Sequence, residues 1–193
     1  MSNDPSAIAT WANLVTVTRL LVSPLMFALI DGPAGSWASF VLWFVLCSTD
    51  GIDGVLARRH GTTRSGAFLD PLADKVLVLG AMVALVQSDV FWWLPVALIA
   101  ARELVIQLYR TFVGAKGVSI PASKLAKVKT LAQQLAVGFA LLPWTALDVT
   151  WLWKWLLWIA VVLTLVSGAQ YLLAAQRGKR RIRAGMGVQG MAP

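Results

Sequence analysis

Four aspartates lie close together in the first half of the chain. Asp50 and Asp53 are three residues apart and Asp70 and Asp74 are four apart, so on a helix each pair shares one face. Carboxylates that are brought together repel one another unless cations lie among them. Their oxygen atoms suit a hard divalent cation such as Mg²⁺. The spacing therefore indicates a site where carboxylates bind metal ions.

The sequence around the aspartates predicts how they are positioned. An apolar run precedes the first pair, another follows the second, and a short basic stretch, 59–65, separates them. This pattern is typical of a helix, a short loop and a second helix that returns. Both acid pairs would then lie near the loop and near each other.

The composition of the whole chain is that of a membrane protein. Of its 193 residues 58% are hydrophobic and only 13% are charged, and the mean hydropathy is +0.71. These values exclude an ordinary soluble domain and predict an all-α integral membrane protein, with six transmembrane helices in one bundle. The single cysteine, Cys47, excludes disulfides within the chain and cysteine metal sites.

Six apolar stretches form the predicted membrane domain, 13–176, between an N-terminal segment, 1–12, and a basic tail, 177–193. The predicted helices cover 13–30, 37–58, 69–86 and 91–112, with a fifth ending near Pro143 and a sixth over 151–175. Pro71 would fall in the first turn of the third helix, where proline is tolerated.

The distribution of Lys and Arg predicts how this bundle is oriented in the membrane. Lys and Arg are concentrated in the aspartate loop, in the polar segment 114–129 and in the tail, which lie on one side in a six-helix count. The positive-inside rule makes that side cytoplasmic, in a bacterial inner or plasma membrane, with the active site and the C-terminus facing the cytoplasm. The net charge of +8 is expected to attract anionic membrane lipid and not nucleic acid.

Tryptophans cluster at the opposite helix ends, as an interfacial aromatic belt would require. The belt residues are Trp37, Trp92, Trp93, Trp144, Trp151, Trp153 and Trp155.

The aspartate segment resembles the signature of the CDP-alcohol phosphatidyltransferases. That signature reads Asp-x2-Asp-Gly-x2-Ala-Arg, a gap, and then Gly-x3-Asp-x3-Asp. Its eight fixed positions are matched here by Asp50, Asp53, Gly54, Ala57, Arg58, Gly66, Asp70 and Asp74. The resemblance implies an enzyme that binds a CDP-linked lipid with Mg²⁺ or Mn²⁺, as two ions, and that forms a homodimer.

The same resemblance implies roles for single residues. Asp50, Asp53, Asp70 and Asp74 would be the metal ligands, and Asp74 would also be the base for the incoming alcohol. The CDP-lipid would lie against Asn13, Thr16, Arg19, Asp53, Gly54, Ala57, Arg58 and Gly66. Two of these roles have an alternative. The small residues at 54 and 57 would equally suit close helix packing. Arg19 could pair with an aspartate of the motif or hold a phosphate.

A second resemblance narrows the acceptor. Asn13-x2-Thr16-x2-Arg19 and the stretch from Arg102-Glu103 to Gln133 are similar to family members that use sn-glycerol 3-phosphate. This implies transfer of the phosphatidyl group from CDP-diacylglycerol to glycerol 3-phosphate, in phospholipid biosynthesis. The acceptor phosphate needs fixed cations, for which the candidates are Arg102, Arg110, Lys124, Lys127 and Lys129. Alternatively, the lysines serve only as positive-inside charges.

The sequence allows other interpretations. Within the family, inositol phosphate, serine or phosphatidylglycerol could replace glycerol 3-phosphate. Outside it, a non-enzymatic membrane transporter, or carboxylates paired with Arg58 and Lys75 only to hold helices together, would also contain intramembrane acids. The transporter does not explain Gly54, Ala57, Arg58 and Gly66 at fixed offsets. Against the helix-holding alternative, acids within a membrane usually mark function. The sixth helix carries no part of either pattern.

Overall fold

The structure is a computed structural model that describes residues 11–32, 34–60, 66–114 and 124–189, and all regular structure in these ranges is α-helical. The helices are α1 (Trp11–Ala28), α2 (Trp37–His60), α3 (Gly66–Gln87), α4 (Trp93–Gly114), α5 (Lys124–Leu141), α6 (Pro143–Leu147) and α7 (Thr150–Gln189). The all-α prediction is confirmed.

The helix bounds shift by about two residues from those predicted in most helices, and three differences are larger or new. α3 begins at Gly66, so Pro71 lies in its second turn, and the prediction of a first-turn proline is wrong. The five-residue α6 was not predicted; Pro143 begins it, at a position where a missing N–H breaks no helical hydrogen bond. α7 continues to Gln189 instead of ending near 175, so most of the predicted tail is helical.

The helices pack as a bundle whose core is built from one face of each. α1 packs against α2 and α3, α4 against α3 and α7, and α5 against α2, α3 and, most extensively, α7. Buried residues recur at helical spacing, as the burial of one face requires. Examples are Leu77, Ala81 and Leu85 on α3, Ala136, Val137 and Ala140 on α5, and Trp153, Leu157, Ala160 and Val161 on α7.

Hydrogen bonds between loops and helix ends join helices at one end of the bundle, which we call the fastened end. The Ser36 N–H donates to the carbonyl of Leu141 (3.0 Å), and the Ser88 hydroxyl donates to the carbonyl of Ile30 (3.1 Å). A Cβ on Gly35, whose φ is +67°, would lie 2.6 Å from the Leu141 oxygen, so this close approach requires glycine. These contacts bring together the end of α1, the start of α2 and the ends of α3 and α5.

The outer surface of the bundle is also apolar. Large hydrophobic side chains such as Leu21, Phe44, Phe112 and Val162 are exposed on α1, α2, α4 and α7. Among the described residues, Thr150–Tyr171 is the one helical segment long and apolar enough to cross a membrane, and Val15–Ala28 and Trp37–Thr49 are shorter apolar segments. The count of six spans stays a prediction.

Six of the seven predicted belt tryptophans are exposed at the fastened end, but Trp153 is not. Trp153 is 5% exposed and packs against Phe91, with ring centroids 5.4 Å apart. Its assignment to an interfacial belt is therefore wrong, and it belongs to the core.

Candidate active site

Two consecutive helices carry the aspartates of the motif. Asp50 and Asp53 lie in α2, and Asp70 and Asp74 lie in α3. At a rise of about 1.5 Å per residue, Asp53 is about 10 Å before the end of α2 and Asp74 about 12 Å after the start of α3. Asp53 and Asp74 thus lie at similar distances from these helix ends, whereas Asp50 lies about 15 Å and Asp70 about 6 Å away. All four belong to the end of the bundle opposite to the fastened one. Asp74 is partly buried, and the side chains of the other three lie outside the described part of the structure.

α1 supplies two buried polar side chains between the acid-bearing helices. Thr16 and Arg19 are 1% and 2% exposed, on the helix that packs against both α2 and α3. A buried arginine needs anionic or polar partners, so the position of Arg19 is compatible with either of its two predicted roles. The remaining CDP-lipid candidates, Asn13, Gly54, Ala57, Arg58 and Gly66, fall outside the described side chains.

A cluster of charged side chains lies between α3, α4 and α5, next to Asp74. At its centre is Glu103 on α4, which is 4% exposed. Its Oε2 accepts a hydrogen bond from Lys75 Nζ (2.6 Å). Its Oε1 accepts from Arg102 Nη1 (3.1 Å) and from Lys129 Nζ. One buried carboxylate therefore binds three cations; we call these four residues the Glu103 cluster.

Arg102 connects the Glu103 cluster to α7. Its Nη2 donates to the Ser167 hydroxyl (2.9 Å), which itself donates to the Thr164 carbonyl (3.0 Å). A Cβ on Gly168 would lie 3.0 Å from Arg102 Nε, so the guanidinium lies directly against the backbone of α7. One turn away, Gln133 Nε2 donates to the Thr164 hydroxyl (3.0 Å). Polar contacts thus join α4 and α5 to α7.

A small recess brings Asp74 and the Glu103 cluster together. Asp74 and Lys75 line it from α3, Glu103 from α4, and Thr130 and Gln133 from α5. The recess therefore combines two carboxylates, Asp74 and Glu103, with one cation, neutral hydrogen-bonding groups and the apolar side chains of Val78 and Leu79. Its volume of about 10 Å³ is that of about one water molecule, so it suits a single hydroxyl group of a bound molecule.

The acceptor candidates separate into three sets. Arg102 and Lys129 are brought together, but through Glu103. Lys127 is exposed, because two residues along a helix place it about 200° from Lys129. The side chains of Arg110 and Lys124 lie outside the described residues.

The sequence interpretation gave no site role to Glu103, Gln133, Thr164 or Ser167. One signal was present, because Glu103 is the only glutamate in the chain and lies within an apolar helix. On α7, Thr164, Ser167 and Gly168 share one helix face at spacings of three and four.

The described side chains include no group of three acidic, histidine or cysteine residues that could hold a metal ion. Asp74 is the one motif aspartate whose side chain belongs to that set. The donor type nevertheless fits a divalent cation, since helix spacing places two carboxylates on one face of α2 and two on one face of α3.

Comparison with known proteins identifies the family. A family model described as CDP-alcohol phosphatidyltransferase matches residues 9–166. The chain belongs to this family. Its phosphatidyltransferase region contains both acid-bearing helices and the whole Glu103 cluster.

Relatives match this chain over most of their length. A protein of Mycobacterium tuberculosis (strain ATCC 25618 / H37Rv) named "Probable phosphatidylglycerophosphate synthase" is 39% identical over 184 residues, covering 91% of this chain and 86% of its own. A protein of Escherichia coli (strain K12) named "CDP-diacylglycerol--glycerol-3-phosphate 3-phosphatidyltransferase" is 40% identical over 172 residues, covering 84% and 93%. A Shigella flexneri protein of the same name gives the same figures. Membership in this transferase family supports an enzyme and not the transporter alternative.

Proposed function

We propose that this chain transfers the phosphatidyl group from CDP-diacylglycerol to sn-glycerol 3-phosphate, giving phosphatidylglycerophosphate and CMP. The observation that carries this proposal is about 40% identity, over most of both chains, to relatives whose names state that reaction. In the reaction, a hydroxyl oxygen of the acceptor forms a bond to the phosphorus of the phosphatidyl group. The bond from that phosphorus to CMP breaks, and the hydroxyl proton leaves.

We assign Asp50, Asp53, Asp70 and Asp74 as ligands of Mg²⁺ or Mn²⁺, with two ions. The support is the donor type, the helical spacing within each pair, and the similar distance of Asp53 from the end of α2 and of Asp74 from the start of α3. When bound, the ions would neutralise charge on the pyrophosphate and on the departing CMP.

Asp74 would take the proton of the acceptor hydroxyl. It lines the recess together with Thr130 and Gln133, so a hydroxyl placed there would be within reach of its carboxylate and of neutral hydrogen-bonding partners. A base is effective only when it lies within hydrogen-bond reach of the proton that it removes.

The CDP-lipid would lie between α1 and the acid-bearing helices, against Asn13, Thr16, Arg19, Asp53, Gly54, Ala57, Arg58 and Gly66. The support is the packing of α1 against both acid-bearing helices. The acceptor phosphate would be bound by cations at the same end of the bundle, from Arg102, Arg110, Lys124, Lys127 and Lys129.

We also propose that the bundle crosses a membrane six times, with the site and the C-terminus on the cytoplasmic side. The support is the apolar outer surface and the concentration of Lys and Arg near the motif, at 116–129 and beyond 176, as the positive-inside rule requires. By family resemblance the protein would be a homodimer, which light scattering of the detergent-solubilised protein tests.

The decisive experiment incubates purified protein with CDP-diacylglycerol, Mg²⁺ and a panel of radiolabelled acceptors. We expect CMP release and labelled lipid with glycerol 3-phosphate, and no turnover in excess EDTA. Transfer only to inositol phosphate, serine or phosphatidylglycerol would retain the family reaction and reject the acceptor. Full turnover in EDTA would reject the metal assignment.

A further inference from the structure

The Glu103 cluster carries more positive charge than its single carboxylate neutralises. Lys75, Arg102 and Lys129 are three cations against one anion, so the cluster has a net charge of +2 when all four groups are ionised. The cations come from α3, α4 and α5, and without Glu103 they would repel one another in a buried site. Glu103 therefore keeps the two lysines, from separate helices, close together.

The cluster borders the space where the acceptor is expected. Lys75 and Glu103 line the same recess as Asp74. Asp74 and Lys75 are also neighbours in the chain. Asp74 lines the same recess, so the cluster and this carboxylate together carry a net charge of +1 when all five groups are ionised. A phosphomonoester brings about two negative charges at neutral pH and is attracted to this positive charge.

We propose that Glu103 is a positioning residue for the acceptor. It fixes the ammonium group of Lys75 at the recess and that of Lys129 on the same carboxylate, so that a small phosphomonoester with a free hydroxyl meets a preorganised positive charge. Because these cations are already held in place, binding the anion requires less ordering than binding to mobile lysines. This inference rests on the proposed function and adds a residue to it.

The competing explanation is that the cluster only holds α3, α4 and α5 together. The two explanations differ in the behaviour of a double variant. Glu103→Gln leaves three cations without their carboxylate, whereas the double variant with Lys129→Met leaves only two cations to repel each other, so part of the lost stability should return. A purely structural cluster should therefore regain activity with stability, whereas a positioning cluster should regain stability alone.

The test compares Glu103→Gln, Lys129→Met and the double variant as full-length protein in detergent. The apparent Tm and the KM for each substrate are measured. We expect Glu103→Gln to lower kcat/KM for glycerol 3-phosphate by roughly 10- to 100-fold, mainly through KM, as for the loss of a charge-assisted contact. The KM for CDP-diacylglycerol should change by less than about twofold.

The double variant should lose less Tm than the two single variants together, while kcat/KM for the acceptor stays low. Recovery of kcat/KM together with Tm would overturn the proposal, as would an equal loss for both substrates. Glu103→Asp keeps the charge on a shorter side chain and should restore part of kcat/KM. If Glu103→Gln does not fold, the acceptor KM of Glu103→Asp is measured instead. An unchanged KM in that variant would overturn the proposal.

Ser88→Ala is the matched control. It removes one hydrogen bond, to Ile30 at the fastened end, and should leave both KM values unchanged. The wild-type acceptor panel separates this proposal from the proposed function. If inositol phosphate replaces glycerol 3-phosphate, the same rise in acceptor KM supports Glu103. An acceptor without a phosphate, or no acceptor at all, overturns it.

Discussion

Lys127 and Lys129 are two residues apart on α5 and offer a matched pair of substitutions. Lys129 is buried and bound to Glu103, whereas Lys127 is exposed. Lys→Met keeps most of the aliphatic side chain and removes the charge, so each variant reports mainly on the ammonium group. The structure predicts that Lys129→Met destabilises the fold and that Lys127→Met does not.

The size of the effect follows from the partners that remain. Removing one member of a buried ion pair typically costs about 3–5 kcal/mol, because the other charge is left alone. Here Glu103 keeps Lys75 at 2.6 Å and Arg102 at 3.1 Å, so the loss is closer to that of one charge-assisted hydrogen bond, about 2 kcal/mol. At about 2–4 °C per kcal/mol for a chain of this size, Tm should fall by about 4–8 °C.

Thermal unfolding of the detergent-solubilised variants, followed by fluorescence, measures this difference. Lys127→Met should stay within about 0.5 kcal/mol of wild type, as for most surface substitutions, and it should raise the KM for glycerol 3-phosphate if Lys127 binds the acceptor phosphate. Equal Tm shifts for the two variants, or no shift for Lys129→Met, would refute the assignment of Lys129 to a buried ion pair.

Three further predictions follow from the site and its orientation. Asp70→Asn should lower the rate of CMP release at least about tenfold, equivalent to about 1.4 kcal/mol of barrier, and a smaller loss would exclude Asp70 as a metal ligand. In a variant without the native cysteine, Thr62→Cys should react with an impermeant thiol reagent only from the cytoplasm and Ala34→Cys only from outside, and the reverse pattern would invert the topology. Arg110→Ala should raise the KM for glycerol 3-phosphate by roughly 10², as for a lost contact of 2–3 kcal/mol. In the same assay the control Lys116→Ala should change it little, and an equal loss for CDP-diacylglycerol would assign Arg110 to the fold or to the nucleotide.

The sequence predicts the helices well because the information is local. Each long helix is an apolar stretch bounded by polar or Gly-rich residues, and the acid pairs at helical spacing could be placed on α2 and α3 from sequence alone. Trp153 shows what the composition of a stretch leaves out. Trp151 and Trp155 are four residues apart and share one face, which places Trp153 on the opposite face, and the helical period therefore predicts its burial.

The Glu103 cluster could not be predicted in the same way. The sequence shows a single glutamate in an apolar helix, which indicates a buried charge with a partner. Which cations reach it depends on how α3, α4 and α5 pack, since Lys75 and Lys129 are 28 and 26 residues away. Tertiary packing determines these contacts. As a result, two of the five acceptor candidates, Arg102 and Lys129, bind Glu103.

The position of Glu103 between its two lysines in the chain has a consequence for assembly. A fragment ending at Gly114 would contain Glu103 together with two of its three cations, Lys75 and Arg102. A fragment beginning at Lys124 contains a single acidic residue, Asp148, which follows α6 near the far end of α5, about 18 Å or more from Lys129 along the helix axis. The carboxylate that binds Lys129 is Glu103 of α4, so α5 would bury its lysine at lower cost once α4 is in place. During synthesis the bundle would therefore close in chain order, and the second fragment expressed alone would need the first in order to fold.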